Sequence, residues 1–158
     1  MILNQLLLLN TVRAQFPLDY LGIHGAPHWS RVMDNGLILA QRNGADVDVI
    51  RLFAFLHDSC REDENADPLH GMRAAAFTSS IRNRGIFQLS EDRFERLHFA
   101  IGAHCDGLTE ADITVQTCWD ADRLDLGRVG VRPDPRRLCT ANAKNPDVIK
   151  EAYWRSMR

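Results

Sequence analysis

Lysine is almost missing from this chain: Lys144 and Lys150 are the only two in 158 residues, so nearly all of the 19 Lys+Arg positions are arginine. Genomic base composition explains such a bias in general, so a phosphate-binding arginine has to be argued position by position. Cysteine is sparse and scattered. Cys60, Cys105, Cys118 and Cys139 form no CxxC pair, which argues against a thiolate-built structural zinc site and against a disulfide framework. No sign of charge dominates: the formal net charge is −2 and the isoelectric point lies near 6.3. Bulk electrostatics therefore call for neither nucleic acid nor an anionic membrane as partner.

Long apolar runs are also lacking. The opening MILNQLLLLNTVR has no basic region ahead of its apolar stretch and no small-residue cleavage site, and the stretch is too short to span a bilayer. It reads as a first amphipathic helix, and the protein as cytoplasmic. No alternating apolar/polar strand, internal repeat, low-complexity tract or linker is evident, nor a Gly-rich phosphate loop or an aromatic RNA-binding motif.

Helical periodicity is what remains, and it predicts an all-α fold: a single compact domain over 1–158 with six or seven helices. The first helix is expected from Ile2 to about Ala14, and a loop with Pro17, Gly22, Gly25 and Pro27 follows. A second helix runs from near His28 to the Asn43-Gly44 stop. Asp46 caps a third, ending around Ser59. Residues 61–68 form a polar surface loop. A fourth helix spans about Leu69 to Asn83, a fifth runs from Ser90 to Ala103 or His104, and a sixth covers roughly Glu110 to Leu126. VRPDP (131–135) breaks the chain before a short last helix, about 146–157.

Six histidines stand at 24, 28, 57, 70, 98 and 104, several of them at helix ends or on apolar stripes. A buried ionisable group must be paired or coordinated, because burial alone costs several kcal/mol. Ile50, Phe53 and His57 share a stripe, and Asp58 lies about 100° further round. The two can converge on one ion near the helix end, or stand as a capping histidine beside a solvated aspartate. In the sixth helix Val115, Trp119, Asp122 and Leu126 share a face, putting the Asp122 carboxylate toward the core. Asp120 is expected on a mixed face with Thr117 and Leu124. A cation would relieve Asp122, as would a salt bridge to Arg123 or Arg128.

HWSRV (28–32), LHDSCR (56–61), DPLHG (67–71), AIGAH (100–104) and DADRLDLGRVGV (120–131) resemble, in order and spacing, the HD superfamily of metal-dependent phosphohydrolases. The likeness covers about residues 21–131. It implies an all-α fold, hydrolysis of a phosphate ester or anhydride, most often in a nucleotide, and a metal-ligand set of His28, His57, Asp58 and Asp122. Two imidazoles and two carboxylates suit Mn, Fe, Co, Ni or Zn, with Mg also in play. Such an ion would acidify its water and polarise phosphorus, with Asp58 orienting the water.

By the same resemblance His70 and His104 are candidates for phosphate contact, acid catalysis or a second metal. Cys105 follows His104 where the two-metal branch usually carries a second histidine. Arg31 and Arg61 could fork onto phosphate, Arg123 could steady a carboxylate, and Glu62 or Asp63 could serve as base. His98 reads as a satisfied core histidine before a ligand, and His24 is left open. The partner implied is a small phosphorylated substrate, with neither nucleic acid nor membrane, and a homodimer is an open option. Two other readings share the scaffold: a metal-stabilised nucleotide-sensing module with little turnover, and a di-iron oxygenase.

Overall fold

The computed structural model describes residues 4–158. Among them seven α-helices follow one another: α1 (Gln5–Gln15), α2 (Ala26–Asn43), α3 (Val47–Leu56), α4 (His70–Asn83), α5 (Glu91–Ala103), α6 (Ile113–Arg123) and α7 (Pro146–Ser156). Two 3₁₀ turns, Leu126–Val129 and Pro135–Arg137, lie between α6 and α7. The all-α expectation is met. Among the described residues no helix is long and apolar enough to cross a membrane.

α3 is the axis of the molecule, and its composition explains why. VDVIRLFAFL is apolar on nearly every side, so the helix must be covered all round. Val49, Ile50 and every residue from Leu52 to Leu56 are buried. α2, α5 and α6 pack around it, with α1 and α4 closing the remaining sides. Asp46 caps α3 by accepting from the Asp48 and Val49 amides, and Arg93 of α5 grips the same carboxylate. Burial pushes Asp46 upward, but Arg93 and the helix amides hold its pKa below the ordinary carboxylate value. The stabilisation is therefore present at neutral pH and fades as pH falls through the carboxylate range.

Two glycines set the spacing of the site. A Cβ on Gly36 would lie 2.5 Å from the Ile50 Cγ2, so its absence lets α2 and α3 approach closely. A Cβ on Gly71 would meet the carbonyl oxygens of Ile101 and Gly102 at 2.9 Å. The start of α4 thus lies directly on the end of α5, which brings His70 and His104 together.

Several boundaries differ from the sequence expectation. α1 begins at Gln5, with Asn4 accepting from the Leu7 amide as its cap; Ile2 lies outside the described residues. α3 stops at Leu56 rather than near Ser59, because the Ser59 amide and hydroxyl both donate to the Leu56 carbonyl and tighten the chain into a turn. α6 starts at Ile113, since Asp112 caps it through the Thr114 amide. It ends at Arg123, and the chain continues into the Leu126–Val129 turn.

Asp120 corrects a larger expectation. It does not sit on a mixed face: it is fully buried beside Thr117 and Leu124, also fully buried. Its carboxylate accepts from the amides of Cys139 (2.6 Å) and Thr140 (2.8 Å) and from the Thr140 hydroxyl (2.7 Å). The segment after α6 folds back onto the helix and covers what would otherwise be its outer side. Replacing Asp120 with Ala leaves two buried amides without a partner, at a cost on the order of 3 kcal/mol. The urea unfolding midpoint of Asp120→Ala should fall accordingly; an unchanged midpoint would show that the 138–140 segment is held by something else.

Candidate metal centre

The centre lies where three helix ends meet. His28 is in the first turn of α2, where Pro27 is tolerated because the opening amides have no partner within the helix. His57 and Asp58 lie in the turn that ends α3, and Asp122 in the last turn of α6. His28 and His57 are fully buried, Asp58 is 2% exposed and the Asp122 side chain is 18% exposed.

Four donor atoms converge. The Nε2 atoms of His28 and His57 are 3.0 Å apart. The Asp58 Oδ2 is 3.6 Å from the His28 Nε2 and 3.9 Å from that of His57, and the Asp122 Oδ1 is 3.4 and 3.7 Å from the same two atoms. Ligands about 2.0–2.2 Å from a shared divalent ion sit roughly 3–3.5 Å apart, so the set has nearly the right span.

Proton placement is the sharper test of fit. The His57 Nδ1 donates to the carbonyls of Phe53 (3.1 Å) and Ala54 (3.2 Å). The His28 Nδ1 donates to the Asp125 Oδ2 at 2.7 Å. Each neutral ring has then spent its proton, and two bare Nε2 lone pairs face each other with two carboxylate oxygens alongside. Such a group demands positive charge, either a proton or a cation. Burial, helped by repulsion from His28 and His104, outweighs the attraction of Asp58 and Asp122 and lowers the His57 pKa to about 3. His28 moves the other way: burial and Arg128 push it down, but hydrogen bonds to Asp122 and Asp125 lift it above its ordinary value. Burial alone would raise Asp58 and Asp122, yet the surrounding imidazoles hold both far below the carboxylate range. His28, His57 and Asp58 lie close enough together to share a divalent cation, and the Asp122 Oδ1 stands beside both imidazole nitrogens as the further donor.

Asp58 also faces a second cluster. Its Oδ1 is 3.0 Å from the His70 Nε2 and 3.4 Å from the His104 Nε2, and those two nitrogens are 2.8 Å apart. Both Nδ1 atoms are spent on carbonyls, His70 on Asp67 and His104 on Ile101. The Cys105 Sγ lies 3.3 Å from the His70 Nε2. Burial lowers His70, but Asp58 and Cys105 more than compensate and raise its pKa to about 9; the same forces raise His104 well above its ordinary value. Burial raises Cys105, while the two imidazoles bring it down to about 7. His70, His104 and Cys105 are close enough to share an ion, although the Arg61 guanidinium stands 3.4–3.5 Å from the ring nitrogens of His70 and opposes further positive charge there. A cavity of about 180 Å³ opens over this side, lined by Asp58, Arg61, His70, His104, Asp122 and Arg128 among others.

Other sequence candidates lie elsewhere. Arg31 is bound in a fork to Asp125, Nε to Oδ1 at 2.7 Å and Nη2 to Oδ2 at 3.1 Å, so it steadies the carboxylate behind His28 and is not free to fork onto phosphate. Glu62 is exposed and turned toward Arg73 at 3.5 Å, outside the cavity, which removes it as a base. Asp63 is exposed and caps the Asn65 amide. Arg123 does not touch Asp122; it donates to the carbonyls of Arg137 and Leu108. His98 is exposed beside Phe94, so it is neither core nor ligand.

Two participants escaped the sequence reading. Asp125 follows Asp122 by three residues, but past the helix end, where helical phase no longer reports direction. His24 is buried in the loop before α2, its Nδ1 3.2 Å from the Asp58 Oδ2 and its Nε2 3.2 Å from the Glu64 carbonyl. A loop histidine carries no periodic signal.

No family model matches the chain, and no curated protein matches it by sequence. A solved structure does. The crystal structure of a predicted HD superfamily hydrolase from an uncultured Thermotogales bacterium superposes with a TM-score of 0.72 and 27% identity, over 96% of this chain and 86% of that one. The order of helices, the buried His/Asp centre at their ends and this superposition agree: the chain has an HD-domain fold.

Proposed function

We propose that the chain is a metal-dependent phosphohydrolase in which His28, His57, Asp58 and Asp122 hold one divalent cation. The observation that carries this reading is the convergence of two bare imidazole nitrogens and two carboxylate oxygens, with separations of 3.0–3.9 Å between each nitrogen and its neighbours. The description of its structural neighbour as a predicted hydrolase supports it. A mixed imidazole–carboxylate set suits Mn, Fe, Co, Ni or Zn better than Mg. Bound there, a divalent ion acidifies water and polarises a phosphoryl oxygen.

The chain's own groups divide the remaining work. Asp58 presents Oδ2 to the metal ligands and Oδ1 to His70 and His104, so it links the two halves of the site. His70 and His104 can share a proton between their Nε2 atoms and pass it to a departing oxygen. Arg61 and Arg128 are held by backbone carbonyls, Arg61 by Asp63 and Asn65 and Arg128 by Ile23 and Asp125. That anchoring aims each guanidinium; the charge of Arg61 is left for phosphate oxygens, whereas Arg128 also stands 3.9 Å from the Asp125 carboxylate. Arg31 differs, because a carboxylate neutralises it. The substrate in this reading is a nucleotide or another small phosphorylated metabolite, met in the cytoplasm.

Purified protein supplied with Mn, Co or Ni should release phosphate from at least one member of a nucleotide and sugar-phosphate panel. Saturating metal without release from any compound would favour the nucleotide-sensing alternative. Asp58→Ala should lose both bound metal and turnover while keeping its helical circular dichroism; wild-type activity in that variant would put the site elsewhere. Asp125→Ala, which frees the back of His28, should weaken metal affinity about 10–100-fold, read by titration with a competing chelator. Arg61→Ala should raise KM about tenfold with metal content unchanged, and unaltered kinetics would return Arg61 to a surface charge.

A further inference from the structure

We propose that the large cleft beside the metal centre is a leaving-group subsite that selects substrates carrying a second anionic group on a partly apolar body. The proposal rests on the phosphohydrolase reading and names the substrate class of that same site. The cleft has a volume of about 610 Å³ and shares His104 and Cys105 with the smaller cavity over Asp58. A compound whose phosphate lies in the smaller cavity therefore has its remainder directed into the larger one.

The lining of this cleft joins apolar and cationic groups. Leu126, Val131, Pro133 and Leu138 supply an apolar wall suited to a carbon skeleton or a flat ring. Arg123, Arg132 and Arg137 supply the charge. Arg123 is committed to the carbonyls of Arg137 and Leu108 and so builds the wall. Among the described residues neither Arg132 nor Arg137 is held in an ion pair, although the Arg137 charge is felt by Asp134; Arg132 rests over the Tyr153 ring, 5.8 Å from its centroid. The acid lining the cleft, Asp134, is already bound by Arg136 through contacts of 2.7 and 3.1 Å. Two guanidiniums outside any ion pair, in a cleft with an apolar lining, match a ligand that joins an apolar body to a second anionic group.

One wall of the cleft comes from the 131–138 segment, and Asp120 pins the chain just beyond it through the Cys139 and Thr140 amides. Tethering there lowers the cost of ordering this wall around a ligand.

A matched pair of ligands tests the proposal. Phenyl phosphate and 4-carboxyphenyl phosphate differ only in the distal carboxylate, as do benzylphosphonate and 4-carboxybenzylphosphonate, which cannot be hydrolysed. The Mn-loaded wild-type protein should favour the carboxylated member of each pair about tenfold, in kcat/KM for the esters and in calorimetric affinity for the phosphonates. In R132A/R137A that preference should fall to near unity. A wild-type protein indifferent to the carboxylate, or a double variant that keeps the preference, would overturn the proposal. If neither ester is cleaved under any metal, the phosphohydrolase reading fails, while the phosphonate titrations still decide what the cleft binds.

Discussion

One buried carboxylate organises this molecule. Asp58 is almost wholly removed from water, and an isolated carboxylate there would be prohibitively unstable or would protonate. It remains charged because imidazoles surround it: His24 and His28 meet Oδ2, His70 and His104 meet Oδ1, and His57 stands alongside. Each imidazole in turn has one nitrogen spent on a backbone carbonyl or on Asp125, which aims the other at the centre. The group is therefore interdependent: displacing one ring leaves a buried carboxylate oxygen without its donor.

The packing of the helices follows from the need to bring these groups to one point. α3 is apolar on nearly every side, so it is wrapped by its neighbours, and its C-terminal turn delivers His57 and Asp58 to the middle of the bundle's end. Gly36 and Gly71 let α2 approach α3 and α4 approach α5 closely enough for rings on different helices to touch. Arg31 and Asp125 form a layer behind His28, and the Phe53 ring stacks on His57 with centroids 4.9 Å apart. Site and core are in this sense the same packing, since the residues that hold the rings in place are also those that exclude water.

Away from the centre the charge changes character. Near Asp58 the positive groups are imidazoles balanced by carboxylates. Further out, Arg61 is oriented by backbone carbonyls and Arg132 by the Tyr153 ring, while Arg128 combines the Ile23 and Asp125 carbonyls with the Asp125 carboxylate 3.9 Å away. The near-absence of lysine means that these positions carry planar, permanently charged forks throughout. The gradient runs from a closed, metal-binding interior to an open, anion-seeking rim.

Helix number, helix type and the caps at Asp46 and Gly44 were legible from the residues, because periodicity and capping chemistry act over a few positions. So was the placing of His57, Asp58 and Asp122 on inward-facing stretches, once their order along the chain was set beside that of a known family. Pattern could not say that Asp120 is more deeply buried than Asp122, because burial of its face depends on the 138–140 segment folding back onto the helix. Nor could it show that Arg31 belongs to Asp125, that Glu62 points outward, or that His24 reaches Asp58 from a loop. Local interactions settle which stretches become helices and which faces are apolar. Partners separated by dozens of residues are chosen only when the helices pack, and in this protein those distant choices decide which charged groups are spent and which stay free to act.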